Sequence, residues 1–311
     1  MRAFVFPGQG SQKVGMGVEL AEASAAARAV FEEVDDALGQ HLFALMKDGP
    51  DDQLTLTENA QPAIMANAIA VLRVLEHEGG IELAAKADYV AGHSLGEYTA
   101  LCATGAFTLA NTARLLKLRG RAMQAAVPVG QGAMCALLGA DVDKAQALAD
   151  WAAQGEICEV ANDNDPSQVV LSGQRAAIER AVAAVKDFEV KRGVLLPVSA
   201  PFHSTLMGPA AEAMAEALER TPPGALRLPV LANVTAEPVS DPQEAARLLV
   251  RQVTHRVRWR ESMIALGELG VERFVELGGK VVGPMISRTV AEAEVTSVAA
   301  MADIEALAKE L

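Results

Sequence analysis

Apolar positions recur along this chain with two periods. Short, nearly continuous apolar runs mark buried strands, and stretches with an apolar residue every three to four positions mark helices. Arg2 to Phe6 reads as a first strand, ended by Pro7-Gly-Gln-Gly-Ser-Gln12, where a proline and two glycines force a loop. Helical patterning follows through Phe31 and Leu38, and Pro62 is expected to open an alanine-rich apolar helix to about Leu75. Tyr89 to Ala91 reads as the end of a buried strand. It runs directly into Gly92-His93-Ser94-Leu95-Gly96, with helical sequence from Thr99. A helix over residues 109–126 carries Arg114, Lys117, Arg119 and Arg121.

Pro128-Val-Gly-Gln-Gly132 breaks this pattern, and a compact unit follows. Strands are predicted over 133–138, 158–161, 168–172 and 194–197, and helices over 142–153 and 176–188, with Asn162-Asp-Asn-Asp-Pro166 as a turn. That order is βαββαβ, the ferredoxin-like unit. Residues 128–197 are therefore expected to form a small domain inserted into a larger one made of 1–127 and 198–311. In the larger part, helices are predicted over 206–219, 244–253 and 259–269, strands over 230–232 and 274–277, and a helix opening at Gly278-Gly-Lys280. Strands alternating with helices on both sides of the insert predict an α/β fold, its largely parallel sheet covered on both faces.

Composition narrows the class. The chain has 311 residues, 51% of them hydrophobic, enough for a substantial core. It has no run of 18 apolar residues, so no membrane span is expected. Met1-Arg2 leads straight into the first strand, so no secretory signal is expected. Cys102, Cys135 and Cys158 are widely spaced, which argues against a disulfide framework or a zinc site and makes the cytoplasm the simplest home. A formal charge of −13 argues against a nucleic-acid partner.

The chemistry centres on Gly92-x-Ser94-x-Gly96. Strand, sharp turn and helix are the setting of a nucleophile elbow, which lifts a serine hydroxyl clear of the sheet over a helix N-terminus. The serine needs a base. Of five histidines, His41 and His77 lie in exposed-looking contexts, and His93 should point away from its neighbour Ser94. His203 and His255 remain, with His203 favoured by its loop at the end of a strand region. Gly8-x-Gly10 is no dinucleotide fingerprint, because Lys13 stands where the third glycine belongs, and Gly278-Gly-Lys280 lacks the upstream glycine of a P-loop.

Six motifs carry a resemblance across nearly the whole chain. They are Phe6-Pro-Gly-Gln-Gly-Ser-Gln12, Gly92-His-Ser-Leu-Gly-Glu-Tyr98, Leu118-Arg-Gly-Arg-Ala-Met-Gln124, Gly132-Ala-Met134, Pro201-Phe-His203 and Val250-Arg-Gln252. In order and spacing they resemble the malonyl-CoA:acyl carrier protein transacylases, which load malonyl units for fatty-acid synthesis. The resemblance implies an α/β-hydrolase-like core with a ferredoxin-like insert. It implies Ser94 as nucleophile, His203 as general base and the Gln252 backbone carbonyl orienting the imidazole in place of a carboxylate. It also implies an oxyanion hole from the N–H groups of Gln9 and Leu95, and Arg119 as the grip on the malonyl carboxylate, with Arg121 as the alternative. Asn233 matches an active-site segment less closely, and Phe202 resembles the malonyl-selective form. Malonyl-CoA and acyl carrier protein are the implied partners, with no metal or redox cofactor. An acidic carrier protein on an acidic chain calls for a local basic patch, with Lys191, Arg192, Arg251, Arg256, Arg258 and Arg260 as candidates. Two rival readings are a serine thioesterase, which would want a carboxylate third member, and a catalytically silent module that binds carrier protein.

Overall fold

The computed structural model describes residues 1–198 and 200–311. Its strands are β1 (Arg2–Phe6), β2 (Tyr89–Gly92), β3 (Gly132–Leu138), β4 (Cys158–Asp165), β5 (Gln168–Gln174), β6 (Arg192–Leu195), β7 (Val230–Leu231), β8 (Pro238–Val239), β9 (Arg273–Leu277) and β10 (Glu294–Val298). They form two sheets, in the orders β10-β9-β1-β2-β7-β8 and β4-β5-β3-β6.

The first sheet is parallel except for its last pair, β7 with β8. β1 lies within it, and its apolar residues divide by the two-residue period of a strand. Phe4 and Phe6 enter the core formed with the helices Thr57–His77 and Leu109–Ala125. Ala3 and Val5 enter a separate core under the helices Trp259–Glu268 and Val282–Thr289. Burial on both faces is why the run is apolar at every position.

The second sheet is antiparallel throughout. Ala133, Cys135 and Leu137 of β3 pack against its own helices, Val142–Ala153 and Arg175–Ala184, in a core of their own. Met134 and Ala136, on the other face, join the main core instead. Element order over β3 to β6 is βαββαβ, as predicted.

Several boundaries differ from the sequence reading. Residues 162–165 are not a turn but the end of β4, with irregularities after Val160 and Asp163. Their polarity suggested solvent, yet all four are buried, with Asp163 held by Arg260, Asn164 by His93 and Asp165 by Arg288 from the first sheet's side of the molecule. The alanine-rich helix begins at Thr57, so Pro62 lies inside it. Packing overrides the lost hydrogen bond there, since Lys117 and Arg121 both hold Glu58 in the first turn. The helix after the elbow starts at Leu95, directly behind Ser94. β6 ends at Leu195, which leaves Leu196 to Val198 free to line a cavity. Elements that the pattern did not announce include β8, β10 and the terminal helix Met301–Glu310.

Candidate active site

Ser94 sits between β2 and the helix Leu95–Ala103 with φ 54° and ψ −109°, a strained backbone for a residue with a side chain. The two glycines make the turn possible. A Cβ on Gly92 would lie 1.9 Å from the Gly96 carbonyl, and one on Gly96 would lie 2.5 Å from Phe6 O. Asn233 braces the elbow from β7's side: its Oδ1 accepts from Ser94 N at 2.7 Å and its Nδ2 donates to Gly92 O at 2.8 Å.

His203, not His255, meets the serine. His203 Nε2 lies 2.7 Å from Ser94 Oγ, and Nδ1 lies 2.8 Å from the backbone oxygen of Gln252. A carbonyl only accepts, so Nδ1 carries the proton and the lone pair of Nε2 faces the hydroxyl. Burial, reinforced by the charge of Arg119, pushes the imidazole down to about 3. The ring is therefore neutral and able to take a proton at ordinary pH. His255 is exposed and bonded to its own helix end, at Thr254 and Arg251. His93 points away from Ser94, as predicted, and is held by Asn164 Oδ1 at 2.8 Å.

Arg119 completes the group. Only 1% exposed, it donates from Nη2 to Ser94 Oγ at 3.1 Å and to Gln252 Oε1 at 2.8 Å, and from Nη1 to Gln61 Oε1 at 2.8 Å. All three acceptors are uncharged. Arg121, two residues on, turns outward to Glu58 and has no place at the serine. A cavity of about 280 Å³ opens before these residues, lined by Gln9, Leu95 and Phe202 from one sheet's side and by Met134 and Asn162 from the other. Leu95 is the first residue of its helix, where an N–H has no intrahelical acceptor.

A family model of the acyl transferase domain matches residues 3–303. The malonyl CoA-acyl carrier protein transacylase of Bacillus subtilis is 41% identical over 92% of this chain and 89% of its own length. That of Escherichia coli K12 is 40% identical over 93% and 92%. The chain belongs to the malonyl CoA-acyl carrier protein transacylase family. Among solved structures, the acyl-carrier-protein S-malonyltransferase of Bartonella henselae superposes with a TM-score of 0.97 at 49% identity, covering 99% of this chain and 98% of that one. A malonyl-transacylase in complex with a type II polyketide acyl carrier protein superposes at 0.95 with 38% identity, covering 100% and 99%. Among the described residues, no helix of this transacylase-family member is long and apolar enough to cross a membrane.

Several residues of this family member's site escaped the sequence reading. Glu97, 2% exposed, accepts from Gln252 Nε2 at 2.7 Å and Asn233 N at 3.1 Å. Burial pushes its carboxyl up to about 7, against the pull of those hydrogen bonds and of Arg119. It lies within the elbow motif, but nothing local signals that its side chain turns inward. Gln61 and Thr57 link the arginine to the loop after β1: Gln61 Nε2 donates to Thr57 Oγ1 at 2.9 Å, which donates to Gln9 Oε1 at 3.1 Å. The basic patch also shrinks. Arg256 and Arg258 pair with Glu261, and Arg260 with Asp163. Lys191, Arg192 and Arg251 remain exposed with no carboxylate in ion-pair range among the described residues.

Proposed function

We propose that this chain moves a malonyl group from CoA to the phosphopantetheine thiol of acyl carrier protein through a malonyl-Ser94 intermediate. One observation carries the reading: a buried arginine with only neutral partners stands 3.1 Å from the nucleophile's oxygen. A guanidinium so placed suits an acyl group that ends in a second carboxylate, which it can grip with two parallel hydrogen bonds. The names of the similar proteins support the same donor and acceptor.

In the first half-reaction His203 Nε2 takes the Ser94 Oγ proton as the oxygen attacks the thioester carbon. The carbonyl oxygen becomes an oxyanion facing the N–H groups of Gln9 and Leu95. The C–S bond breaks, the CoA sulfur receives the proton from His203, and the serine ester remains. In the second half the carrier thiol gives its proton to His203, attacks the ester, and Ser94 Oγ recovers the proton. Neither half calls for a metal or redox cofactor. The same reading takes residues 1–127 and 198–311 as an α/β-hydrolase-like domain and 128–197 as a ferredoxin-like insert. It serves fatty-acid synthesis in the cytoplasm, with Lys191, Arg192 and Arg251 as the patch for an acidic carrier. Mass spectrometry after mixing with malonyl-CoA should find the malonyl group on Ser94, discharged to the thiol of carrier protein when that is added. Release as free malonate would favour a thioesterase, and an unmodified Ser94 would leave only a binding module.

A further inference from the structure

Glu97 is a buried carboxylate for which the transfer chemistry has no use. It lies one helical turn past Ser94, on the same side of the helix. Its Oε2 takes the hydrogen bond of Gln252 Nε2 at 2.7 Å, while the other end of that amide, Gln252 Oε1, takes the hydrogen bond of Arg119 Nη2 at 2.8 Å. The same Nη2 reaches Ser94 Oγ at 3.1 Å. Glu97 Oε2 is the acceptor in two hydrogen bonds, from Gln252 Nε2 and from Asn233 N, and a guanidinium only donates. The amide between them can therefore satisfy both in one orientation alone. Flipped, it would set its NH₂ against the guanidinium and its oxygen against the carboxylate, and an unmatched polar contact in a buried site is expensive. Glu97 and Arg119 are thus linked through one interposed amide. Among the described residues, no carboxylate occupies the guanidinium's amino groups.

We propose that Glu97 is a positioning residue for acyl selection: by fixing the Gln252 side-chain amide it holds the Arg119 guanidinium at Ser94, where the free carboxylate of the incoming acyl group is met. This rests on the malonyl-transfer reading above. Glu97 does not touch the reacting atoms, and an acyl group without a second carboxylate does not depend on where Arg119 points. The effect of removing Glu97 should therefore differ between malonyl and acetyl donors.

The test compares Ser94 acylation by malonyl-CoA and acetyl-CoA in the wild type, Glu97→Ala, Glu97→Gln, Arg119→Ala and the Glu97→Ala/Arg119→Ala double variant. Glu97→Ala should lower kcat/KM for malonyl-CoA by about 10- to 100-fold, the range for a lost hydrogen bond among charged groups, with acetyl-CoA close to wild type. Glu97→Gln keeps an oxygen that can accept the same two hydrogen bonds and should restore most of the malonyl rate. On the Arg119→Ala background, Glu97→Ala should change the malonyl-to-acetyl ratio no further. If Glu97→Ala does not fold, Glu97→Leu, which fills the space without an acceptor, takes its place with the same expectation. Equal losses for the two donors, or an additive effect in the double variant, would overturn the proposal. A wild type that leaves Ser94 unmodified would instead sink the malonyl-transfer reading. A malonylated wild type whose selectivity responds to Arg119 but not to Glu97 would sink this inference alone.

Discussion

Arginines meet buried acceptors in two regions of this molecule, and the partners differ. At Ser94, Arg119 is almost wholly buried and, among the described residues, its guanidinium touches a serine, two glutamines and no carboxylate. At the end of β4, Arg260 and Arg288 reach from partly open positions to Asp163 and Asp165, both 0% exposed. In the second region the buried charge is the aspartate, and the arginine closes it off. That arrangement, with the parallel bridge between Asn162 and Val257 and the hydrogen bond of Asp163 N to Val257 O, straps the small sheet to the rest of the molecule. In the first region the buried charge is the cation, its nearest acid stands one amide away, and on the proposed function a direct carboxylate is left for a ligand to supply. A directly paired arginine at a seam reads as structure. On the proposed function, an arginine with neutral partners beside the acylated serine reads as specificity.

The largest effects should come from the groups that Arg119 serves. Ser94→Ala should abolish the acyl-enzyme, and His203→Ala should slow transfer by roughly 10²–10⁴-fold, the usual share of a positioned general base. His255→Ala should leave the rate unchanged. A near-native rate in His203→Ala, measured by single-turnover acylation, would remove the dyad and with it the meaning of Arg119's position.

The next effect tests the comparison directly. Arg119→Ala should lose malonyl transfer by about two to three decades, because a buried carboxylate left without its cation forfeits roughly 3–5 kcal/mol. Acetyl transfer should survive. Lysine at 119 should recover only part of the malonyl rate, since it lacks the two-pronged contact. Parallel losses for both donors would show that Arg119 supports the fold, as Arg260 and Arg288 do.

Smaller changes are expected at the strap. Arg260→Ala or Arg288→Ala should lower unfolding free energy by about 2 kcal/mol, the scale of a buried charged group losing its hydrogen bonds. The malonyl-to-acetyl ratio should stay put. Thermal melts paired with acylation rates decide it, and a selectivity change in either variant would erase the distinction between the regions.

The smallest effect is a predicted flatness. With His203 pushed down to about 3, acylation by acetyl-CoA should show no acid limb near the ordinary imidazole value of 6.5. The sign for stability is the reverse of a paired histidine's. As pH falls from about 6.5 toward 3, the unfolded chain binds a proton that the folded chain refuses, so stability is lost over that window and complete above it. An acid limb near 6.5 in the acetyl profile would mean that the ring is solvated and the site more open than the geometry gives.

Sequence by itself determined whatever depends on sterics within a few residues. The elbow was legible because only glycine fits at Gly92 and Gly96, whose missing side chains leave room for neighbouring backbone. The element order of the small sheet was legible because its strands and helices keep their own hydrophobic periods. The tertiary structure decided which polar groups meet. Ser94 and His203 are 109 residues apart and Gln252 lies 158 from Ser94, so the local pattern favoured His203 over His255 only by its loop and could not show which ring meets the serine. The family resemblance selected His203, and packing shows why. Arg119 and Arg121 share one helix and differ only in the face that packing buries. The run from Asn162 to Asp165 looked like a turn because polar residues usually seek water. Its aspartates instead found arginines 97 and 123 residues away, and those contacts hold it in a buried strand. Glu97 was hidden for the same reason: burial of a charge is set by the partners that compensate it, and those arrive only when distant segments fold together.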